Sequence, residues 1–153
     1  MLLQNSMIDL ELTTQENEYS ALCAAAMAGH YEVVQFLAEN GADVNFMNSM
    51  GQTPLVHCFS RMTETENVFE NKNICLKIAE VLLSYGADIN KVSYGRTQLM
   101  NFCAISMKLD PVMLEMSLHV VKFLMMNGAD PYQKCDATLK DSFELAANHC
   151  AST

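Results

Sequence analysis

The sequence predicts an all-α solenoid of stacked helix-turn-helix units joined by β-turn fingers, and three observations carry that prediction. The tripeptide Gly-Ala-Asp occurs at Gly41-Ala42-Asp43, Gly86-Ala87-Asp88 and Gly128-Ala129-Asp130. Each copy closes an apolar segment in one register. Counted back from the glycine, position minus eight reads Val33, Ile78 and Val120, minus seven Val34, Ala79 and Val121, minus five Phe36, Val81 and Phe123, and minus four Leu37, Leu82 and Leu124. Between the copies a second frame recurs, Gly-x-Thr-x-Leu, at Gly51-Gln52-Thr53-Pro54-Leu55 and Gly95-Arg96-Thr97-Gln98-Leu99, with a weaker version in Glu18-Tyr19-Ser20-Ala21-Leu22. Such self-similarity marks units that bury their apolar faces on one another and leave the variable positions free to face a partner.

Each frame opens a helix, because Ser20, Thr53 and Thr97 carry a hydroxyl able to accept from unpaired first-turn amides, and Pro54 suits a first turn where no amide hydrogen is needed. The small run Cys23-Ala24-Ala25-Ala26 follows and allows close helix approach. Gly29-His30 then turns the chain into a second helix carrying Val33, Val34, Phe36 and Leu37, which Gly41 ends by adopting the left-handed cap conformation.

The frame Thr-Pro-Leu, two small residues, Gly-His, x-Val-Val, x-x-Leu and Gly-Ala-Asp-Val-Asn resembles the ankyrin repeat, and residues 18–50 have its 33-residue length. The resemblance covers about 18–132 and implies an ankyrin solenoid. Residues 1–17 then form an N-terminal cap or the tail of a preceding repeat, with Leu2-Leu3-Gln4-Asn5-Ser6 like the end of a second helix. Repeats occupy 18–50, 51–94 and 95–132, and 133–153 form a partial repeat or cap, in which Asp141 to Ala147 looks like a first helix.

Leu22 to Gly41 spans 19 positions, Leu55 to Gly86 31 and Leu99 to Gly128 29, so repeats two and three carry insertions of roughly 12 and 10 residues. They replace the Gly-His turn, around Met62 to Asn73 and Met107 to Met116, where Thr63-Glu64-Thr65-Glu66-Asn67 and Asp110-Pro111 predict loops or lengthened helix ends. Val68 and Phe69 are candidate apolar anchors there, against the simpler reading of tolerated surface length. The family's histidine after Thr-Pro-Leu is replaced by Cys23, Val56 and Met100, removing a group that ties neighbouring repeats. Pro131 lacks an amide hydrogen, so the last finger is expected to diverge from the others.

Net charge is −9, and the first 60 residues hold seven acids (Asp9, Glu11, Glu16, Glu18, Glu32, Glu39, Asp43) with no Lys or Arg, a charge of −7. That sign repels phosphate, which argues against nucleic acid and fits a basic peptide or protein patch. Six cysteines without close paired spacing read as reduced thiols in the cytosol. Residues 1–9 lack the pattern of a signal peptide, and Glu115, His119 and Lys122 interrupt the most apolar stretch, so no membrane partner is expected.

Chemistry needs convergent groups, and none are legible. His57-Cys58 and His149-Cys150 are neighbours that point about 100° apart on a helix, unlike a four-ligand zinc set. His30 occupies the Gly-His turn, structural in the family, and Cys58 and Cys103 take small-residue core positions. All six glycines fall at turns and caps, leaving no phosphate loop. No catalytic residue, cofactor or metal is expected, and most of the 12 methionines read as gap fillers on helices.

The resemblance implies binding on the concave side, formed by fingers and exposed faces of first helices. By position this gives Tyr19, Met27 and Ala28, then Phe46, Met47, Ser49, Met50, Gln52, Ser60 and Arg61, then Val92, Ser93, Tyr94, Arg96, Ala104 and Ile105. Phe46, Met47, Met50 and Tyr94 are apolar where the family is polar, and Arg61 and Arg96 are the only arginines. Arginine offers a planar fork to a ligand carboxylate while the apolar residues supply burial. The expected function is a monomeric protein-interaction module without catalysis, whose partner is a host protein or a basic peptide. The alternative is the substrate-targeting domain of a larger enzyme or secreted effector. Irregular repeats rich in Met, Asn and Glu also resemble effectors that intracellular bacteria deliver, which would place the chain in a host cytosol.

Overall fold

Hydroxyl caps set the starts of the inner helices. Ser20 Oγ accepts from Cys23 N at 3.3 Å, Thr53 Oγ1 from Val56 N at 3.4 Å and Thr97 Oγ1 from Met100 N at 3.3 Å, each satisfying an amide that the first turn leaves unpaired. The computed structural model describes residues 9–15, 18–60, 62, 68–105 and 111–133. Among them the helices are α1 (Ala21–Ala28), α2 (Tyr31–Glu39), α3 (Pro54–Ser60), α4 (Val68–Ser84), α5 (Gln98–Ile105) and α6 (Pro111–Met126), with isolated bridges in place of strands.

The outer helices stop in one way three times. Ala42 N donates to Leu37 O at 3.1 Å, Ala87 N to Leu82 O at 2.9 Å and Ala129 N to Leu124 O at 3.0 Å, while Gly41, Gly86 and Gly128 stand at φ 88°, 89° and 89°. This is the paired-bond helix stop in which a left-handed glycine turns the last carbonyls back onto the chain. The next residue, aspartate, then builds the root of a finger. Asp43 Oδ1 accepts from Asn45 N at 2.8 Å, and Asp88 Oδ1 from Asn90 N at 2.9 Å.

The chain divides into two compact units, Met1–Ala87 and Asp88–Thr153. In the first, α1 packs on α3 and α2 on α4, and each inner helix also packs on the outer helix that follows it. Small residues allow this two-layer arrangement: Cys23, Ala25 and Ala26 of α1 are buried with Leu22, against Leu55, Cys58 and Phe59 of α3. The outer layer contributes Val34, Leu37, Cys75, Ile78, Ala79 and Leu82. Burial of each large apolar side chain contributes about 1.5–3 kcal/mol. In the second unit α5 packs on α6, around Leu99, Met100, Phe102, Met116, Val120 and Leu124.

The first insertion resolves in part into helix: α4 has 17 residues where α2 has nine. Met62, expected at the edge of that insertion, is fully buried and belongs to the core. The side chains of Val68 and Phe69, and residues 63–67 and 106–110, lie outside the described residues, as do residues 1–8 and 134–153. The register misplaces two side chains. Val33 and Phe36 share their repeat positions with buried or half-buried residues of α4 and α6, yet Phe36 is 52% exposed and Val33 is exposed as well. The last finger does not diverge at its root: Tyr132 N donates to Asp130 Oδ1 at 2.9 Å. That bond uses the amide two residues after the aspartate, so a proline directly after it costs nothing there.

Candidate functional site

The first unit carries a finger that the sequence reading overlooked. Asp9 Oδ1 accepts from Glu11 N at 3.0 Å, repeating the aspartate turn 34 residues ahead of Asp43, and Thr13 bridges Ser20 as Ser93 bridges Arg96. Glu11 Oε1 accepts from Asp43 N at 2.8 Å. In the second unit Asn90 Oδ1 accepts from Asp130 N at 2.7 Å, and its Nδ2 donates to Gly128 O at 3.1 Å. Asn45 Nδ2 likewise donates to Gly86 O at 2.9 Å. One polar side chain at each of these three finger roots, Glu11, Asn45 and Asn90, thus ties it to the next repeat. Leu12 of the overlooked finger is 70% exposed, and the signal that would have found it was the Asp9 to Asp43 spacing.

The finger of residues 43–53 is organised by one buried side chain. Asn48 Oδ1 accepts from Met50 N at 3.1 Å and Gln52 N at 2.9 Å, and its Nδ2 donates to Gln52 Oε1 at 3.2 Å. Asn48 N donates to Gln52 O, and Gly51 at φ 72° closes a three-residue loop. Met47 and Met50 stand exposed on it, with Phe46 and Gln52 half-buried. Tyr19 is half-buried, its ring edge-on to His57 with centroids 4.9 Å apart, and Met27 is exposed at the end of α1.

In the second unit the finger is one residue shorter, since Gly86 to Thr97 spans 11 positions where Gly41 to Thr53 spans 12. The turn tightens to two residues. Ser93 N donates to Arg96 O at 2.9 Å and Arg96 N to Ser93 O at 3.1 Å, with Tyr94 at φ 52° and Gly95 at φ 74°. Both central residues of such a hairpin turn must be left-handed, which asparagine and glycine accept readily and tyrosine does not. Tyr94 is nonetheless there, 68% exposed, beside an exposed Arg96. Val92 is half-buried and Ser93 buried, so neither offers a free side chain. Ile105 ends α5 with its side chain outside the described residues, and Arg61 lies outside them altogether.

The buried nucleophile and metal candidates fit structural roles. Burial, with the carboxylates of Glu11 and Asp43 and against hydrogen bonding to Ser20, pushes the Cys23 thiol up, and burial does the same to Cys103. Thiols held protonated are poor nucleophiles. Cys58 and Cys75 each place Sγ within 3.1 Å of the other's carbonyl oxygen inside the core. His57 is buried with no hydrogen-bond partner for Nε2, and burial lowers its basicity. His30 is exposed and makes no side-chain cap, so its turn is held by backbone, His30 N donating to Ala25 O at 3.0 Å. Among the described residues no three His, Cys, Asp or Glu groups converge to hold a metal, and no helix is long and apolar enough to cross a membrane. Of the seven acids before Arg61, Asp9, Glu18, Glu32, Glu39 and Asp43 are exposed and Glu11 half-buried, while Glu16 lies outside the described residues.

Known proteins agree with this architecture. The family model for ankyrin repeats matches residues 1–93 in three copies. An ankyrin repeat protein of Rickettsia felis is 34% identical over 114 residues, 74% of this chain and 44% of that protein. A fem-1 homolog A-like protein of Mus musculus is 25% identical over 146 residues, 94% of this chain and 19% of the relative. The human NAD-capped RNA hydrolase NUDT12 is 50% identical over 42 residues, 28% of this chain and 9% of that enzyme. The chain spans less than half the length of these relatives. Ankyrin repeats are generally non-catalytic protein-interaction modules. With finger roots, glycine stops and capped inner helices recurring in register, and the family model covering more than half its length, this chain belongs to the ankyrin-repeat family.

Proposed function

We propose that this chain recruits a protein partner through its finger tips and catalyses no reaction itself. The observation that supports this most is Tyr94. A left-handed tyrosine costs about 1–2 kcal/mol relative to glycine, and a residue 68% exposed does not offset that cost by burial in its own unit. An exposed aromatic residue held at a strained position, beside an arginine, is the chemistry of an interface anchor. Met47, Met50 and Leu12 give the first unit its own exposed apolar finger residues.

The acidic first 60 residues favour a partner with a basic patch or a basic peptide, and Arg96 offers a cation to a carboxylate on that partner. In this reading the meeting takes place in the cytosol. The test is an affinity capture from eukaryotic lysate with the wild-type chain beside Tyr94→Ala, Arg96→Glu and Met47→Ser, Met50→Ser variants, all shown equally folded by circular dichroism. A protein retained by the wild type and lost from at least one variant supports the reading. Equal retention by all three sinks it.

A second reading, a targeting segment joined to an enzyme or a secreted effector, draws on the match to a hydrolase and the match to a Rickettsia protein. It expects the captured partner to be chemically changed in cells that make the full-length protein, and an unaltered partner would count against it.

A further inference from the structure

On α6, Leu114, Leu118 and Met125 are exposed and Val121 half-buried. Their spacing is four, three, four, which at about 100° per residue sets all four on an arc of about 60°. That is the seam of a two-stranded coiled coil, and Leu118 at its middle is 57% exposed. Counted back from Gly128, Val121 and Met125 stand at minus seven and minus three. The same positions in α2, Val34 and Ala38, are buried where that helix packs on α1 and α4. The seam therefore lies on a face that, in the first unit, is covered by protein.

Charge decides which helix covers it. The residues beside the seam on its outer flank are Glu115 and Lys122, both exposed, while Ser117 and Leu124 on the other flank are buried. If a second α6 lies antiparallel on the seam, Leu114 meets Met125 of the other copy, Leu118 meets Val121, and Glu115 of each copy meets Lys122 of the other. Every contact is made twice by the two-fold axis. A parallel partner would instead turn this flank toward the other copy's opposite flank, setting Lys122 beside Ser117 and leaving neither Glu115 nor Lys122 an opposite charge. We infer that this surface is an isologous dimer interface, in which the α6 helices of two copies of the chain pair antiparallel through Leu114, Leu118, Val121 and Met125. This replaces the monomer expected from the sequence alone.

The test is sedimentation equilibrium of the whole chain with charge-exchanged variants, each checked by circular dichroism. Exposed ion pairs contribute little singly, but Lys122→Glu turns two attractions into two repulsions and weakens dimerisation by about tenfold or more. Glu115→Lys does the same. The double exchange, Glu115→Lys with Lys122→Glu, restores wild-type affinity within about threefold, a recovery that a general loss of folding or solubility cannot produce. Leu118→Lys abolishes the dimer. A carbodiimide cross-link between Glu115 and Lys122 forms between copies only, since the two lie about 10 Å apart along one helix. A wild-type chain that stays monomeric at about 100 μM, or a dimer indifferent to these exchanges, overturns the inference and leaves the seam to a different helix.

Discussion

The two fully described fingers reach the same end by different physics. That of the first unit is held by a side chain: Asn48, buried, accepts from two loop amides and donates to Gln52, so its exposed positions stay in relaxed conformations. That of the second unit, one residue shorter, has no equivalent asparagine and is held by its backbone, at the cost of a left-handed Tyr94. A single missing position thus moves stability from a hydrogen-bonded hub to a strained turn. The strained turn is also the one that presents the aromatic residue.

The comparison breaks most completely at Asn48. Asn48→Ala leaves the Met50 and Gln52 amides without their acceptor and is expected to cost about 2–3 kcal/mol, since more than one bond to a buried group is lost. Denaturant unfolding measures it, and a loss below about 0.5 kcal/mol would show that water replaces the side chain.

Acid sharpens the contrast between units. His57, buried with an unpartnered Nε2, has its folded pKa lowered by burial, so the unfolded chain binds a proton more readily. Its contribution to stability is complete above about pH 6.5 and falls as pH drops below that value, by at most about 1.4 kcal/mol per pH unit. His57→Phe keeps a ring near Tyr19 and removes this slope between pH 6.5 and 5.5 in thermal melts. An unchanged slope would assign the acid sensitivity to another group.

Tyr94→Gly runs in the opposite direction. It relieves the left-handed strain and is expected to stabilise by about 1 kcal/mol, somewhat less than the full strain because glycine gains freedom when unfolded, while lowering affinity for the partner captured by the wild type. Stability and binding falling together would mean that the ring is part of the fold. The smallest effect is expected from Gln52→Ala, which removes one partly buried side-chain bond to Asn48 and costs about 0.5–1 kcal/mol.

Much of this was legible in the sequence because the repeat writes it more than once. The hydroxyl caps at Ser20, Thr53 and Thr97 and the glycine stops at Gly41, Gly86 and Gly128 depend on local backbone geometry, which a residue type can announce by itself. Of the candidate surface only its exposure can be compared: Met27, Met47, Met50, Tyr94 and Arg96 are exposed, whereas Tyr19, Phe46 and Gln52 are half-buried. The finger at Asp9 was missed because it lacks the glycine and alanine that announce the others. Val33 and Phe36 were misjudged because a repeat position fixes the residue type and not what lies across space from it.

By itself, then, the sequence determined the repeat, its register, its caps and the sign of its charge, all of which follow from short-range chemistry repeated at intervals. Tertiary structure alone decided that Asn48 is a hub, that Met62 is core, that His57 is buried with its Nε2 unpartnered and that α6 keeps an apolar seam exposed. Each of these depends on what lies across space from a side chain, and burial is a property of that neighbourhood, not of the residue.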